Sequence, residues 1–145
     1  MIRGKEEANA NRNGESAQTV LAGMQAPGTD FGGERQLKRL ALAGRFVARL
    51  VGWATGIAES DLVAASRGLG EAARARQIAM YLLHTSLSIS YGDVALAIGR
   101  DRTTVSHACR LVEDLRDDGE IDALICSLEA ILQPVAPLFG LDREV

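Results

Sequence analysis

The sequence predicts an all-α protein: a small helical domain with a helix-turn-helix, a long N-terminal helix and a disordered N-terminal arm. Aromatic residues make up only 4% of the chain, so a core must rely on Leu, Ile, Val and Ala, which suit helix-on-helix packing. Apolar residues recur at steps of three and four along most of the sequence, which is the helical period. With 145 residues, the chain has room for one modest domain plus tails.

The domain boundaries follow from composition. Residues 1–33 are rich in Asn, Gly, Ala, Glu and Gln without an apolar period, so we predict a flexible arm that cannot bury enough surface to fold. The helical domain is predicted over residues 34–133. Pro134 and Pro137 are expected to end its last helix, which leaves residues 134–145 as a C-terminal tail.

The first predicted helix runs from Glu34 to Thr55 and is amphipathic. Its apolar positions are Leu37, Leu40, Ala41, Phe46, Val47, Leu50 and Val51. Gly56 offers a stop, and Ser60 and Asp61 can cap a short turn through Ala64. The two glycines of residues 66–70 then predict a loop.

The second half of the domain begins with a helix predicted from Glu71 or Ala72 to Leu83. Residues 86–90 break it, and Ser90 with Asp93 matches a capping box for a short helix over residues 91–98. Residues 99–101 supply a turn, and Asp101 is a good N-cap for a helix over residues 102–115. A last amphipathic helix is predicted over residues 120–132.

The helix over residues 102–115 has two distinct faces. Val105, Ala108, Val112 and Leu115 form an apolar stripe, and the opposite side carries Thr103, Ser106, His107 and Arg110. Two helices joined by a tight turn, the second polar on its outer face, are typical of a DNA-binding helix-turn-helix. On this basis, Arg102 can pair with guanine and Thr103 with a thymine methyl or a base edge. Phosphate contacts are expected from Thr104, His107 and Arg110.

The net charge of −3 alone argues against a nucleic-acid partner, but the distribution of the charges does not. Residues 36–110 carry ten basic and five acidic side chains, whereas residues 111–145 carry two basic and nine acidic ones. A basic middle and an acidic end fit a DNA-facing domain whose end points outward. The acidic run from Glu113 to Asp122 is most simply a solvated face, and repulsion of DNA or contact with a basic partner are the alternatives.

Two blocks of the sequence resemble a known family. Residues 74–82 (RARQIAMYL), followed by residues 99–110 (GRDRTTVSHACR), resemble the C-terminal DNA-binding domain, domain IV, of the DnaA chromosomal replication initiators. The close similarity covers residues 74–110, and a looser one extends over residues 44–132. The resemblance implies an all-helical fold that recognises a short asymmetric DNA box.

The resemblance also implies roles for individual residues. It places base contacts on Asp101, Arg102 and Thr103. Contacts with the DNA backbone fall on Thr104 and His107, and the arginines around Arg74 and Arg76 lie near phosphates or brace the fold. The full set of expected backbone or groove contacts is Arg67, Arg74, Arg76, Tyr91, Arg100, Thr104, Ser106, His107 and Arg110.

The sequence departs from the family pattern at three places. Family members usually have histidine where this chain has Arg102, and a Leu-Pro pair at the positions of Tyr91 and Gly92. The arginine that enters the minor groove falls on Gly68, and Arg67 can replace it only by a small shift. If Arg67 does not, the lost groove contact should remove about 1 to 3 kcal/mol of discrimination.

Several classes of function are not expected. Cys109 and Cys126 have no second ligand at metal spacing, so we expect no metal, no cofactor and a reducing compartment. A catalytic triad order and a Gly-x-x-x-x-Gly-Lys-Ser/Thr loop are missing from the sequence, so we expect neither catalysis nor nucleotide binding, and no initiator-type ATPase module. We expect that no apolar stretch approaches the roughly 20 residues needed to cross a bilayer, and therefore a cytoplasmic, nucleoid-associated protein without membrane contact.

Three hypotheses about function remain. The first is a regulator that binds initiator-like boxes in double-stranded DNA and acts on replication initiation or on nearby transcription. The second is a transcription regulator with a diverged site. The third is a protein-interaction module of the replication machinery that keeps the fold but has lost DNA affinity. A replication initiator or a second copy of the chain is the further partner considered.

Overall fold

The computed structural model describes residues 31–63 and 70–141, and the regular elements within these ranges are helices. They are α1 (Phe31–Thr55), α2 (Glu59–Val63), α3 (Gly70–Thr85), α4 (Tyr91–Ile98), α5 (Arg102–Leu115), α6 (Gly119–Val135) and a 3₁₀ turn (Ala136–Phe139). The all-α class is confirmed. The predicted arm falls largely outside the described residues, and the structure begins α1 at Phe31, inside the segment assigned to it.

Helix α1 packs one face into the core and lies very close to α4. Leu40, Ala43, Val47 and Val51 are buried on this face. Gly44 allows the close approach, because a Cβ at this position would lie 2.8 Å from the carbonyl oxygen of Ala97 in α4. The spacing between α1 and α4, the first helix of the helix-turn-helix, therefore depends on the absence of a side chain at Gly44.

Helix α3 is central to the domain and packs mainly against α5. Its buried side chains include Ala75, Ile78, Ala79, Leu82 and Leu83, which are the residues that the apolar period predicted. The helix begins at Gly70, one residue inside the predicted loop, and ends at Thr85. The backbone of α5 is thus supported from behind by the most buried helix of the fold.

The C-terminal residues assigned to a tail pack onto the domain, which corrects the boundary at residue 134. Pro134 does not end α6, which continues to Val135 before Pro137 opens the 3₁₀ turn. The ring of Phe139 is buried and lies 5.4 Å from that of Phe46, edge to face, and Arg39 donates a 2.8 Å hydrogen bond to the carbonyl of Gly140. Apolar contact with α1 therefore fixes residues 136–140.

Arg116 organises the junction between α5 and α6. Its guanidinium donates to Asp122 at 2.6 Å, to Glu129 at 2.8 Å and to the hydroxyl of Tyr81 at 3.1 Å. These hydrogen bonds raise the pKa of Arg116, with the bond to Glu129 contributing most. The run expected to be a solvated acidic face thus includes one residue, Asp122, that is bound by an internal arginine.

The segment Gly119–Phe139 is apolar enough to need separate mention. With 21 residues and a mean hydropathy of 1.5, it is the one helix among the described residues that meets the length and composition of a membrane span. The expectation that no apolar stretch approaches that length is therefore wrong. One such helix is weak evidence for a span. Only 17% of this stretch is buried inside the domain, although Ile125, Leu128 and Leu132 are buried.

Candidate nucleic-acid interface

A tight turn joins α4 to α5. Gly99 adopts φ 73° and ψ 39°, a left-handed conformation that favours glycine, and its amide donates to the carbonyl of Ala95 at 2.9 Å. The amide of Arg100 bonds to the same carbonyl at 3.0 Å. Asp101 is then extended, with φ −84° and ψ 160°, and starts α5 as its N-cap. The turn predicted over residues 99–101 is present.

The start of α4 is held by a cap and by a ring stack. The amide of Asp93 donates to the hydroxyl of Ser90 at 3.2 Å, which is the N-terminal bond of the predicted capping box. Tyr91, a predicted DNA contact, is half-buried and stacks on His84 with a ring distance of 4.1 Å. His84 in turn lies 2.7 Å, through Nδ1, from the carbonyl of Ile89, so Nδ1 carries the proton.

The inner face of α5 is anchored in the core. Val105, Ala108 and Val112 are buried, as the predicted stripe requires. Cys109 is buried beside them, and its burial, reinforced by the charge of Glu113, raises the thiol pKa to about 11. This cysteine is therefore protonated at neutral pH and belongs to the core. With this face fixed, the opposite face of α5 is presented to solvent.

The outer face of α5 brings together most of the predicted contacts. Arg102, Thr103, Thr104, His107 and Arg110 are exposed and Ser106 is half-buried. A shallow depression on this face is lined by Thr103, Thr104, Ser106, His107 and Arg110. Hydroxyl, imidazole and guanidinium groups are the side chains that contact base edges and phosphates. The backbone amides at the helix N-terminus also favour a negatively charged group.

Comparison with known proteins identifies this arrangement. Residues 45–112 match the family model described as the bacterial dnaA protein helix-turn-helix. These residues form a DnaA-type helix-turn-helix domain. The match extends from the middle of α1 to Val112 in α5 and leaves α6 outside.

The curated relatives are replication initiators. The chain is 46% identical over 76 residues to the chromosomal replication initiator protein DnaA of Rickettsia canadensis, and 41% identical over 75 residues to that of Sphingopyxis alaskensis. These alignments cover 51% and 50% of this chain but only 16% of each relative. No solved structure gives a significant match.

The arginines of the DnaA-type domain occupy three different environments. Arg74 is exposed on α3, and Arg100 is half-buried in the turn. Arg76, expected to lie near phosphates or to brace the fold, takes the bracing role. It is buried and donates to the carbonyls of Leu62 at 2.7 Å and Asp61 at 3.1 Å. Arg67, the expected minor-groove contact, lies outside the described residues.

Burial and the nearby charge of Arg100 lower the pKa of Arg76, although two of its N–H groups bond main-chain carbonyls. Arg76 thus matches the bracing alternative, and its contact with DNA stays a prediction. Arg74 and Arg76 are two residues apart on one helix, so their side chains point in different directions. The sequence does not say which of these two directions leads into the core.

Sequence reasoning missed the second bond of Asp101. The carboxylate accepts the Thr104 amide at 2.7 Å, as an N-cap does, and also the Thr104 hydroxyl at 3.0 Å. These two bonds to Thr104 lower the pKa of Asp101, the bond from the amide having the larger effect. The signal was present in the sequence, since a threonine three residues after an aspartate cap can bond it through both groups.

Proposed function

We propose that this chain binds double-stranded DNA sequence-specifically through α5 and acts at initiator-like boxes, on replication initiation or on nearby transcription. The observation that carries the proposal is the two-sided α5. Its rear is buried through Val105, Ala108 and Val112, and its leading side chains Arg102 and Thr103 are exposed. A helix of this kind can enter the major groove without unfolding anything else.

The charge along α5 sets the orientation. Arg102 and His107 lie in the first half of the helix, Arg110 lies past its middle, and Glu113 and Asp114 lie near its end. At 1.5 Å per residue, Asp114 is about 18 Å from Arg102 along the axis. Since screening acts over about 8 Å at physiological salt, the acidic end does not cancel the attraction at the leading end. This distribution of charge along α5 favours insertion of the helix by its N-terminal end.

A salt series with fluorescently labelled duplexes tests DNA binding. With about five phosphate contacts, the slope of log affinity against log salt should be about −4 to −5. A duplex with a candidate initiator box should bind more tightly than a scrambled duplex of equal composition. The proposal is contradicted if both duplexes bind weakly, with equal affinity and without dependence on the salt concentration. A protein-binding microarray over random duplexes would then define the preferred box.

Genome-wide footprinting separates the two regulatory roles. Peaks on initiator boxes at the origin support a role in replication, and peaks on other promoters support a diverged transcription regulator. The helix-turn-helix itself is a binding module, so in either case we expect the chain to act by occupying or blocking sites.

A second candidate function is protein interaction, favoured by the outer face of α1. Trp53 is 80% exposed and Leu42 is 56% exposed, and both lie opposite the buried face of this helix. Exposed tryptophans are enriched among the residues that dominate protein interfaces. Trp53 is the only tryptophan of the chain, so a concentration-dependent blue shift of its emission would report contact with a second copy.

A further inference from the structure

The outer side of α1 carries a ridge of exposed side chains. Leu42, Arg45, Arg49 and Trp53 follow one another at steps of three or four residues and are all exposed, so they lie on one side of the helix. At the C-terminal end of this α1 ridge, Trp53 is 80% exposed. An exposed indole ring gains the free energy of burial when a partner covers it. The α1 ridge is therefore suited to a partner with an apolar depression.

The charge of the α1 ridge restricts the partner further. Over residues 31–55, the helix carries five basic side chains and one acidic one. Arg49 has Glu59 as its partner at 3.0 Å, whereas Arg45 makes no hydrogen bond or ion pair with another residue that the structure describes. Both arginines precede Trp53, by about one turn and two turns of the helix. A partner that receives Trp53 should therefore present carboxylates beside its apolar depression.

A depression between α3 and α5 has this character. Its apolar lining includes Ala73, Leu111 and Leu115, which are half-buried, and its polar lining includes Arg74 and Asp114, which are exposed. The volume of this α3–α5 depression is about 350 Å³. An apolar cavity of about 150 Å³ accepts a benzene ring, so the depression has room for an indole ring.

Acidic side chains surround the α3–α5 depression at the trailing end of α5. Asp114 lines it, and Glu113, Asp117 and Asp118 are exposed within four residues of Asp114. Arg116, the one cation of this segment, is bound by its own partners in α6. Among the described residues, no ion pair joins these carboxylates to the arginines of α1. Within one copy, the two oppositely charged surfaces therefore do not neutralise each other.

We propose that the α1 ridge of one copy docks in the α3–α5 depression of a second copy, with Trp53 inserted and Arg45 facing the carboxylates around Asp114. A surface group that fits a pocket elsewhere on the same chain makes copies associate. Arg74 is the predicted DNA contact that lies in this depression, and its guanidinium can stack on the inserted indole.

The contact goes beyond the proposed DNA binding and does not depend on it. The α3–α5 depression shares no lining residue with the depression on the outer face of α5, where Thr103, His107 and Arg110 lie. A seated second copy therefore leaves the lining of that outer depression uncovered. The chain can associate in the absence of DNA, and the contact is testable without it.

Two variants separate the inserted ring from the depression that receives it. Trp53→Ala removes a side chain that is mostly in water, so the fold should not change. Ala73→Arg fills the depression and places a positive charge beside Asp114. In sedimentation equilibrium, the average mass of the wild type should rise above that of one chain as the concentration increases. Each variant alone should associate at least about tenfold more weakly.

An equimolar mixture of the two variants is the decisive measurement. The Trp53→Ala copy keeps the depression and the Ala73→Arg copy keeps the α1 ridge, so the mixture retains one intact contact. We expect a complex of one copy of each, with the affinity of the wild-type contact. Leu138→Ala is the matched control, because Leu138 is 81% exposed and belongs to neither surface. Its self-association should equal that of the wild type.

The emission of Trp53 gives a second readout in which the ring is kept. Trp53 is the only tryptophan of the chain, so its emission should shift to shorter wavelength as the wild type associates. Ala73→Arg should keep the emission of an exposed indole at the same concentrations. Circular dichroism identifies a temperature at which every variant is folded, and all comparisons are made there.

Several results would overturn the inference. One is a wild-type chain that stays monomeric at every concentration, and another is a Trp53→Ala or Ala73→Arg variant that associates like the wild type. A mixture of the two folded variants that stays monomeric would show that the ridge and the depression are not partners. An equal loss in Leu138→Ala would reduce the association to unspecific apolar contact. Because no DNA is present, failure of the proposed DNA binding is a separate result.

Discussion

The two ends of α5 both carry arginine, but in opposite situations. At the leading end, Arg102 is exposed and makes no ion pair within the described part of the chain. At the trailing end, the side chain of Arg116 is only 24% exposed and bonds Asp122, Glu129 and Tyr81. One helix thus offers a cation to a ligand at one end and uses a cation for its own structure at the other.

This difference teaches that an arginine in a DNA-binding motif indicates a contact only when its donors are not already used. Arg116 bonds two carboxylates, and Arg76 bonds two main-chain carbonyls. Arg102 and Arg110 remain exposed on the outer face. The DNA-facing charge of the domain is therefore smaller than its count of basic residues suggests.

The largest effect is expected from Arg102→Ala. Loss of a bidentate contact to guanine should remove about 1 to 3 kcal/mol of discrimination at one base pair, or about 5- to 150-fold. Thr103→Ala should relax preference at a neighbouring position to a smaller extent. Competition binding with single base-pair variants measures both. A uniform loss on every duplex for Arg102→Ala would show that Arg102 contacts phosphate.

Arg116→Ala should affect stability instead. Its removal breaks hydrogen bonds to four partners, Asp122, Glu129, Tyr81 and Cys126, and leaves both carboxylates without their cation. Because both carboxylates are partly exposed, we expect a loss of about 1 to 2 kcal/mol in the free energy of unfolding by urea. Arg102→Ala is the control and should stay within about 0.5 kcal/mol of the wild type. Similar losses in both variants would remove the contrast between the two ends.

Arg110→Ala should weaken binding to all duplexes about equally, by severalfold. One phosphate contact fewer should reduce the salt slope by about 0.9. Arg45→Ala is a matched control, since Arg45 is an exposed arginine on another helix, and its slope should match that of the wild type. Loss of preference at a single base pair in Arg110→Ala would place this side chain on a base instead.

The smallest effect is expected from acid. The pKa of Asp101 is lower in the folded chain than in the unfolded one, so its stabilising contribution is present above the unfolded pKa and is lost as pH falls through the folded pKa. The difference in melting temperature between wild type and Asp101→Ala should therefore shrink below about pH 4. A difference that stays constant down to pH 2 would contradict the role of the charged cap.

The sequence predicted the helices and the outer face of α5 well, because these depend on local rules. Apolar period, Ser90 and Asp101 as caps, and the left-handed Gly99 define α4 and α5 at the observed bounds. The sequence could not predict which charged side chains turn inward. Arg76 bonds Leu62, 14 residues earlier in the chain, and Arg116 bonds Glu129, 13 residues later. No local pattern encodes such contacts.

The end of the domain was missed for a related reason. Proline was taken as a stop for α6, but the helix runs one residue past Pro134, which gives up its own bond to the carbonyl four residues earlier. Phe139 then packs on Phe46, nearly a hundred residues earlier in the chain. A tail and a docked segment have the same composition, and only the tertiary contact distinguishes them.

Gly44 links the packing of α1 against α4 to the orientation of α5, although it lies outside the outer face of α5. A single methyl group at position 44 would collide with Ala97 and push α4 aside, and α4 supports the turn from which α5 starts. Under the proposed mode of DNA binding, a displacement of α4 would change the angle at which α5 enters the groove. A substitution at this packing contact would then change which DNA sequences fit, without altering the side chains proposed to read them.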